Sequence, residues 1–345
     1  MTLAALGFGL IEFAAPDPAP LAGLFGRLGF APVARHPGRR LELWRQGAVT
    51  LALNTQPGGF AAAFAERHGP GICGFALQVA DAGDALRQAA LLGATPPPRR
   101  PDLPLPALEG IGGAALYLAD PAGMAALEGE MRPVAASGAG AGLEVVDHLT
   151  HNVRRGRMEA WAEFYARVFG LGEIRSFAIV GRHTGLRSRA MASPDGLVRI
   201  PINESADDRS QIEEFLRLYR GEGVQHVAFA CTDLHRTVEA LRRAGVPLLD
   251  TPDTYYEGVA DRLPGHGEDL ERLRRNRILI DGGPAQGGGL LLQIFSETLV
   301  GPIFFEFIQR KGNAGFGEGN FQALFEAVER DQIRRGVLAP EDPVK

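Results

Sequence analysis

Two stretches of this chain repeat each other, and that repetition narrows its possible folds more than any other feature. GICGFALQVAD (71–81) lies over GVQHVAFACTD (223–233) without a gap. Gly71 falls on Gly223, Ala76 on Ala228 and Asp81 on Asp233. The register then continues through AGDALRQAALLGA and LHRTVEALRRAGV until Gly93 meets Gly245. Each copy reads as a strand feeding a helix. One difference stands out, because His226 of the second copy faces Gly74 of the first.

The same order of elements recurs around both copies. In the first half GFGLIEFAA, LAGLFGRLGF, LELWRQG and VTLALN read as strand, helix, strand, strand, and AALYLAD closes the unit begun at Gly71. In the second half VDHLTHNV reads as a strand and MEAWAEFYARVFGL as an amphipathic helix, with Trp161, Phe164, Tyr165 and Val168 at helical spacing. Strand patterns follow at SRAMASP, LVRIPIN, RILIDG, LLLQIFS and IFFEFIQR. Four βαβββ modules in two pairs make this an α+β repeat architecture rather than a doubly wound parallel sheet. The small-residue stretch RPVAASGAGAG (132–142) reads as the linker, giving domains at 1–135 and 143–345.

Composition excludes several function classes. A net charge of −5 gives no general attraction to nucleic acid or to an anionic membrane, and the Arg-rich LERLRRNR (270–277) reads as a solvated helix face. Cys73 and Cys231 are the only cysteines, so neither a disulfide framework nor a thiolate metal site is expected. The N-terminus lacks a basic region and Glu12 interrupts its apolar run, unlike a signal peptide. No run reaches the ~18 apolar residues of a membrane span. The expectation is a soluble, cytoplasmic protein.

Three ionisable residues sit inside apolar strand patterns of the second half: His148, His226 and Glu306. IFFEFI would bury the Glu306 carboxylate among large apolar side chains, which is costly unless a cation lies beside it. The competing reading is an outward-facing Glu on an edge strand. His148 and His151 would converge on a helix, but on a strand they point to opposite faces, so one of them can reach a given site. Two imidazoles and one carboxylate with open positions suit non-haem Fe(II), although the same set can hold Zn²⁺ or Mn²⁺. With no His in GFGLIEFAA and Gly74 in place of the second imidazole, the N-terminal domain is expected to be metal-free scaffold.

Longer motifs carry a resemblance over the whole chain. GPIFFEFIQRKGNAGFGEGNFQALFEAVERDQIRRGVL (301–338), VVDHLTHNV, GVQHVAF, DTYY (253–256), RLPGHGE (262–268), LIEFAAP, LWRQG and HGPGICGFALQV stand in an order that resembles the bacterial branch of the 4-hydroxyphenylpyruvate dioxygenase family. That family lies within the vicinal-oxygen-chelate superfamily of open-barrel domains. The resemblance implies that His148, rather than His151, joins His226 and Glu306 in binding Fe(II). It implies that 4-hydroxyphenylpyruvate chelates the metal through its carboxylate and keto oxygens, leaving a position for O₂. Decarboxylation, ring hydroxylation and side-chain migration then give homogentisate on the tyrosine and phenylalanine degradation route. No separate acid or base residue is implied.

The resemblance also assigns a pocket. Ser188, Asn203, Gln211, Gln225 and Gln293 match polar positions, although strand alternation points Gln225 away from His226. Phe295, Phe304, Phe316 and Phe321 match aromatics around the ring. In GFGEGNF the glycines suggest a tight loop, with Asn320 near the start of a C-terminal helix whose Phe321, Leu324, Phe325 and Val328 form a docking stripe. The family uses this helix as a lid. A homo-oligomer, dimer or tetramer, is implied as well. The nearest alternative is 4-hydroxymandelate synthase, from which Phe295 and Pro201 distinguish this chain. The distant one is a metal-free binding or scaffold protein of the same fold.

Overall fold

The structure, a computed structural model, describes residues 2–135, 138, 140–180, 185–283, 288–320 and 323–324, without the side chains of 179 and 180. Phe321 and most of the expected lid helix lie outside the described residues.

Among the described residues sixteen strands form two sheets of eight. The first contains β1 (Phe8–Ala14), β2 (Ala31–Arg35), β3 (Leu41–Gln46), β4 (Val49–Asn54), β5 (Gly71–Gln78), β6 (Ala107–Glu109), β7 (Ala115–Ala119) and β8 (Arg132–Pro133), in the order β6-β7-β5-β1-β4-β3-β2-β8. The second contains β9 (Leu143–Val153), β10 (Gly172–Val180), β11 (Gly185–Ala192), β12 (Arg199–Ser205), β13 (Gly223–Cys231), β14 (Leu279–Gly282), β15 (Leu290–Phe295) and β16 (Phe304–Lys311), in the order β10-β11-β12-β9-β13-β16-β15-β14. In three modules the opening strand lies beside the module's own last strand: β1 by β4, β9 by β12, β13 by β16. The second module departs from this rule. Its β5 lies beside β7, while β8 pairs with β2 through Ala34 opposite Pro133. Arg132 and Pro133, expected to open the linker, therefore extend a sheet.

By compactness the chain divides into Met1–Phe229 with Thr298–Phe305, and Ala230–Glu297 with Glu306–Lys345. In the first unit β5 is buried over nearly its whole length. Asp81 then accepts a hydrogen bond from the Asp84 amide and caps helix Ala82–Leu91. Phe13 meets Phe25 edge-on at 5.2 Å, and Phe229 stacks on Phe305 at 5.8 Å. Helix Met158–Phe169 buries Met158, Ala162, Tyr165, Val168 and Phe169; of the stripe read from its periodicity Tyr165 and Val168 are buried, while Trp161 and Phe164 are half-buried.

In the second unit Asp233 caps helix Leu234–Arg243 from the position that matches Asp81. The Arg-rich segment becomes helix Leu270–Asn276, and it is more than a solvated face. Arg274 donates to Asp253 at 2.7 Å and Arg277 donates to the other oxygen of the same carboxylate. These guanidiniums hold the Asp253 carboxyl well below the usual carboxylate range. The helix Asp253–Glu257, which carries DTYY, is thereby anchored at its first residue.

Candidate metal centre

Strand alternation decides which side chains can meet. On β9 the ring of His151 goes to one side, where Nε2 lies 2.8 Å from the Tyr165 hydroxyl on helix Met158–Phe169. Burial pushes the His151 imidazole down to about 3, so it is neutral. His148 therefore takes the opposite face, as the strand reading requires. Among the described residues one group could hold a metal ion: single ligand atoms of His148, His226 and Glu306 all lie within 4.8 Å of one another. All three residues are buried. Glu306 is 3 % exposed, and β16 lies inside its sheet, which removes the edge-strand alternative.

The imidazoles are held from behind. Nδ1 of His148 lies 2.8 Å from Asp147 Oδ1, and the other oxygen of Asp147 lies 3.4 Å from the Arg199 guanidinium. Nδ1 of His226 lies 3.0 Å from Gln225 Oε1. Each Nδ1 faces an oxygen acceptor, so each carries its proton there and leaves Nε2 as a lone pair. The two Nε2 atoms face each other at 3.2 Å. Neutral rings in this arrangement repel unless a cation or a proton lies between them, and outer hydrogen bonds to the second nitrogen are the usual support of metal-ligating histidines. The donor set thus fits a divalent ion. Asp147 was legible as the residue beside His148; its role as ring holder was not, because the contact depends on how the side chain turns back.

Glu306 is supported by amides. Its Oε1 accepts from Gln293 Nε2 at 3.1 Å, and Gln293 Oε1 accepts from Asn320 Nδ2 at 3.0 Å. Asn320 Oδ1 accepts from the Tyr255 hydroxyl at 2.5 Å. Gly317, at φ +81°, passes so close to Gln293 that a Cβ there would lie 1.8 Å from its Oε1. The GFGEGNF glycines therefore do form a tight loop, pressed against a pocket amide. Residues 318–320 begin a helix, where Asn320 was expected.

The other pocket candidates fall into groups. Ser188 of β11 pairs in register with Asn203 of β12, and Asn203 pairs with Asn152 of β9, so the three form one row across the strands. Asn152 stands four residues from His148, on the same face. Phe304 stacks on His226, with centroids 4.6 Å apart at 21°. Phe295 lies directly across from Glu306 on the neighbouring strand. Phe316 is buried beneath the Arg310 guanidinium. Gln225 turns to the ring of its own neighbour, His226, and Gln211 is exposed at the first position of helix Gln211–Leu218. Gln211 is thus not among the residues this cluster brings together.

The first half answers why Gly74 stands opposite His226 in the repeat. Gly74 pairs with Glu12 across β5 and β1. A Cβ on Gly74 would lie 2.7 Å from the Tyr117 ring and 3.0 Å from both Ala115 O and Glu12 Oε2. Glu12, fully buried, accepts from Asn54 Nδ2 and from Tyr117 OH, each at 2.7 Å. Burial raises its carboxyl above the ordinary value. A closed carboxylate–amide–phenol network fills this place, and it leaves no room for an imidazole.

Residues 2–126 match the family model described as "Hydroxyphenylpyruvate dioxygenase, HPPD, N-terminal", and residues 145–262 match "Glyoxalase/Bleomycin resistance protein/Dioxygenase superfamily". The chain is 51% identical over 352 residues to a 4-hydroxyphenylpyruvate dioxygenase of Pseudomonas sp. (strain P.J. 874), covering 97% of each chain. It is 49% identical to the protein of that name in Pseudomonas aeruginosa, over 96% of each. Among solved structures it resembles a triple mutant of 4-hydroxymandelate synthase from Streptomyces coelicolor, with a TM-score of 0.80 and 30% identity over 94% of this chain and 99% of that one.

Proposed function

The chain belongs to the 4-hydroxyphenylpyruvate dioxygenase family, and on that premise we propose that it converts 4-hydroxyphenylpyruvate and O₂ to homogentisate and CO₂, with Fe(II) held by His148, His226 and Glu306. It is an enzyme of tandem vicinal-oxygen-chelate domains, α+β in class. The observation that carries the iron proposal is the buried cluster of two imidazole lone pairs and one carboxylate, each supported by an outer hydrogen bond.

Bound Fe(II) supplies the oxidising chemistry and a chelation point for the oxo acid. The protein's share is to place and enclose the substrate. Phe304 lies flat against His226, and Phe295 stands across from Glu306 on the neighbouring strand, so each sets an aromatic ring beside a metal ligand. The Ser188–Asn203 row offers a hydroxyl and an amide for the phenolic end. Phe316 and Asn320, both buried, close the loop side and limit solvent entry. Residues 1–135 act as the metal-free domain, residues 143–345 as the catalytic one. Tyrosine and phenylalanine catabolism, a cytoplasmic location and a homo-oligomer follow from the same reading; among the described residues no helix is long and apolar enough to cross a membrane.

The test is to load the purified chain with Fe(II) anaerobically, add 4-hydroxyphenylpyruvate, admit O₂, and measure both products. Homogentisate with matched CO₂ is expected, and Glu306→Ala should abolish both. 4-Hydroxymandelate instead would overturn the assignment of the hydroxylated carbon while keeping metal and substrate. A chain that binds no iron would return the cluster to a structural role.

A further inference from the structure

The support behind Glu306 does not end at Gln293. It continues through Asn320 to Tyr255 and Arg262, the first from DTYY and the second opening RLPGHGE. A guanidinium can only donate. Arg262 Nη2 donates to the Tyr255 oxygen at 2.8 Å and to the Ile280 carbonyl at 2.9 Å, while the Ile280 amide also donates to the Tyr255 oxygen at 2.9 Å. With two donors already aimed at its oxygen, Tyr255 offers its own proton to an acceptor: the Ile280 carbonyl lies at 3.0 Å and Asn320 Oδ1 is nearer at 2.5 Å, where Arg262 Nη1 also donates at 3.4 Å.

That fixes every amide in between. Asn320 presents oxygen to Tyr255 and must present its NH₂ to Gln293. Gln293 then presents oxygen to Asn320 and its NH₂ to Glu306. Reversing either amide would set acceptor against acceptor at one joint. The chain runs from a fixed cation to a carboxylate, and it satisfies both ends in one direction only. Arg262 also stands 3.8 Å from Asp281, whose other oxygen accepts from the Gly319 amide at 2.9 Å. The same guanidinium therefore steadies the turn that delivers Asn320.

We propose that Tyr255 and Arg262 are positioning residues for Glu306, acting through Asn320 and Gln293 to hold its carboxylate in the orientation that ligates the metal. The proposal rests on the reading of Glu306 as a ligand. It needs neither residue to touch substrate or metal.

The experiment is a calorimetric titration of the metal-free full chain with Co²⁺, together with the visible spectrum of the Co²⁺ form and the melting temperature of the metal-free form. Direct outer partners of metal ligands typically carry roughly 10- to 100-fold in affinity, so Tyr255→Phe, which acts through two amides, should weaken Co²⁺ binding by up to about 10-fold and alter the spectrum. Asn320→Asp supplies a second variant that does not depend on Tyr255: its oxygen facing Gln293 forces that amide to turn its own oxygen toward Glu306, and the same loss is expected. Arg262→Lys, which keeps a donor and a charge, should lose less than Arg262→Met. If Tyr255→Phe and Asn320→Asp lower the melting temperature but leave affinity and spectrum as in the wild type, the relay is structural and the proposal is wrong. If the wild type binds Co²⁺ and Glu306→Ala binds it equally well, the ligand reading fails and takes the relay with it.

Discussion

Nε2 of His148 and Nε2 of His226 face each other at 3.2 Å, with both Nδ1 atoms engaged by oxygen acceptors on the far side of each ring. The folded chain thus brings together two lone pairs that a cation relieves. Folding and metal binding are therefore linked, because the unfolded chain has no such juxtaposition.

The first consequence is thermal. A divalent ion that binds only the folded chain should stabilise it by about 2.7 kcal/mol when present at about a hundredfold its dissociation constant. Melting curves of the metal-free chain with and without anaerobic Fe(II) would show the shift, and Glu306→Ala should show little of it.

Asp147 accepts a hydrogen bond from His148 Nδ1 and is itself met by Arg199. Asp147→Ala frees the ring to rotate or to change tautomer. Metal affinity should fall by roughly 10- to 100-fold, with Asp147→Asn in between because the amide oxygen still accepts. Metal titration of the two variants would check the order.

Gly74 has no space for a side chain, since the nearest atoms belong to a buried tyrosine ring, a carbonyl and a carboxylate. Gly74→Ala should cost about 1–3 kcal/mol by overpacking, measured by denaturant unfolding. Metal affinity should not change. Gly74→His should fail to create a second metal site, despite restoring the residue type of the other repeat.

His151 gives a pH dependence with a definite sign. Its folded-state value, about 3, lies below the ordinary 6.5 because burial disfavours the charged ring. The unfolded chain therefore binds the extra proton first, and stability present above pH ~6.5 declines as pH falls toward ~3. In His151→Gln, which keeps an acceptor for Tyr165, the slope of unfolding free energy against pH over this window should be shallower. An unchanged slope would assign acid sensitivity to other groups.

Much of this protein was legible in its residues. The gapless match of 71–81 with 223–233 predicted paired modules, and the alternation of VDHLTHNV separated His148 from His151. The acidic residue in IFFEFI was a signal in itself, because burial of a carboxylate demands a counter-charge. What the pattern missed were contacts that depend on side chains meeting across the sheet and its loops. Gln225 was placed away from His226 by simple alternation, yet its flexible side chain reaches back to that ring. LERLRRNR looked like a solvated face, since nothing in the sequence says that Asp253 lies within reach of Arg274 and Arg277.

The sequence by itself determined the modules, the opposite faces of His148 and His151, and the buried position of Glu306, because these follow from local periodicity and from the penalty on buried charge; the choice of His148 came from the family resemblance. Only the tertiary structure decided that the two imidazoles share a gap of 3.2 Å, that Glu12, Asn54 and Tyr117 close the vacant repeat, and that Glu306 is tied through two amides to Tyr255 and Arg262. Those relations join residues far apart in the chain. They exist only where folding brings donors to acceptors at hydrogen-bond distance, and no spacing along one strand encodes them.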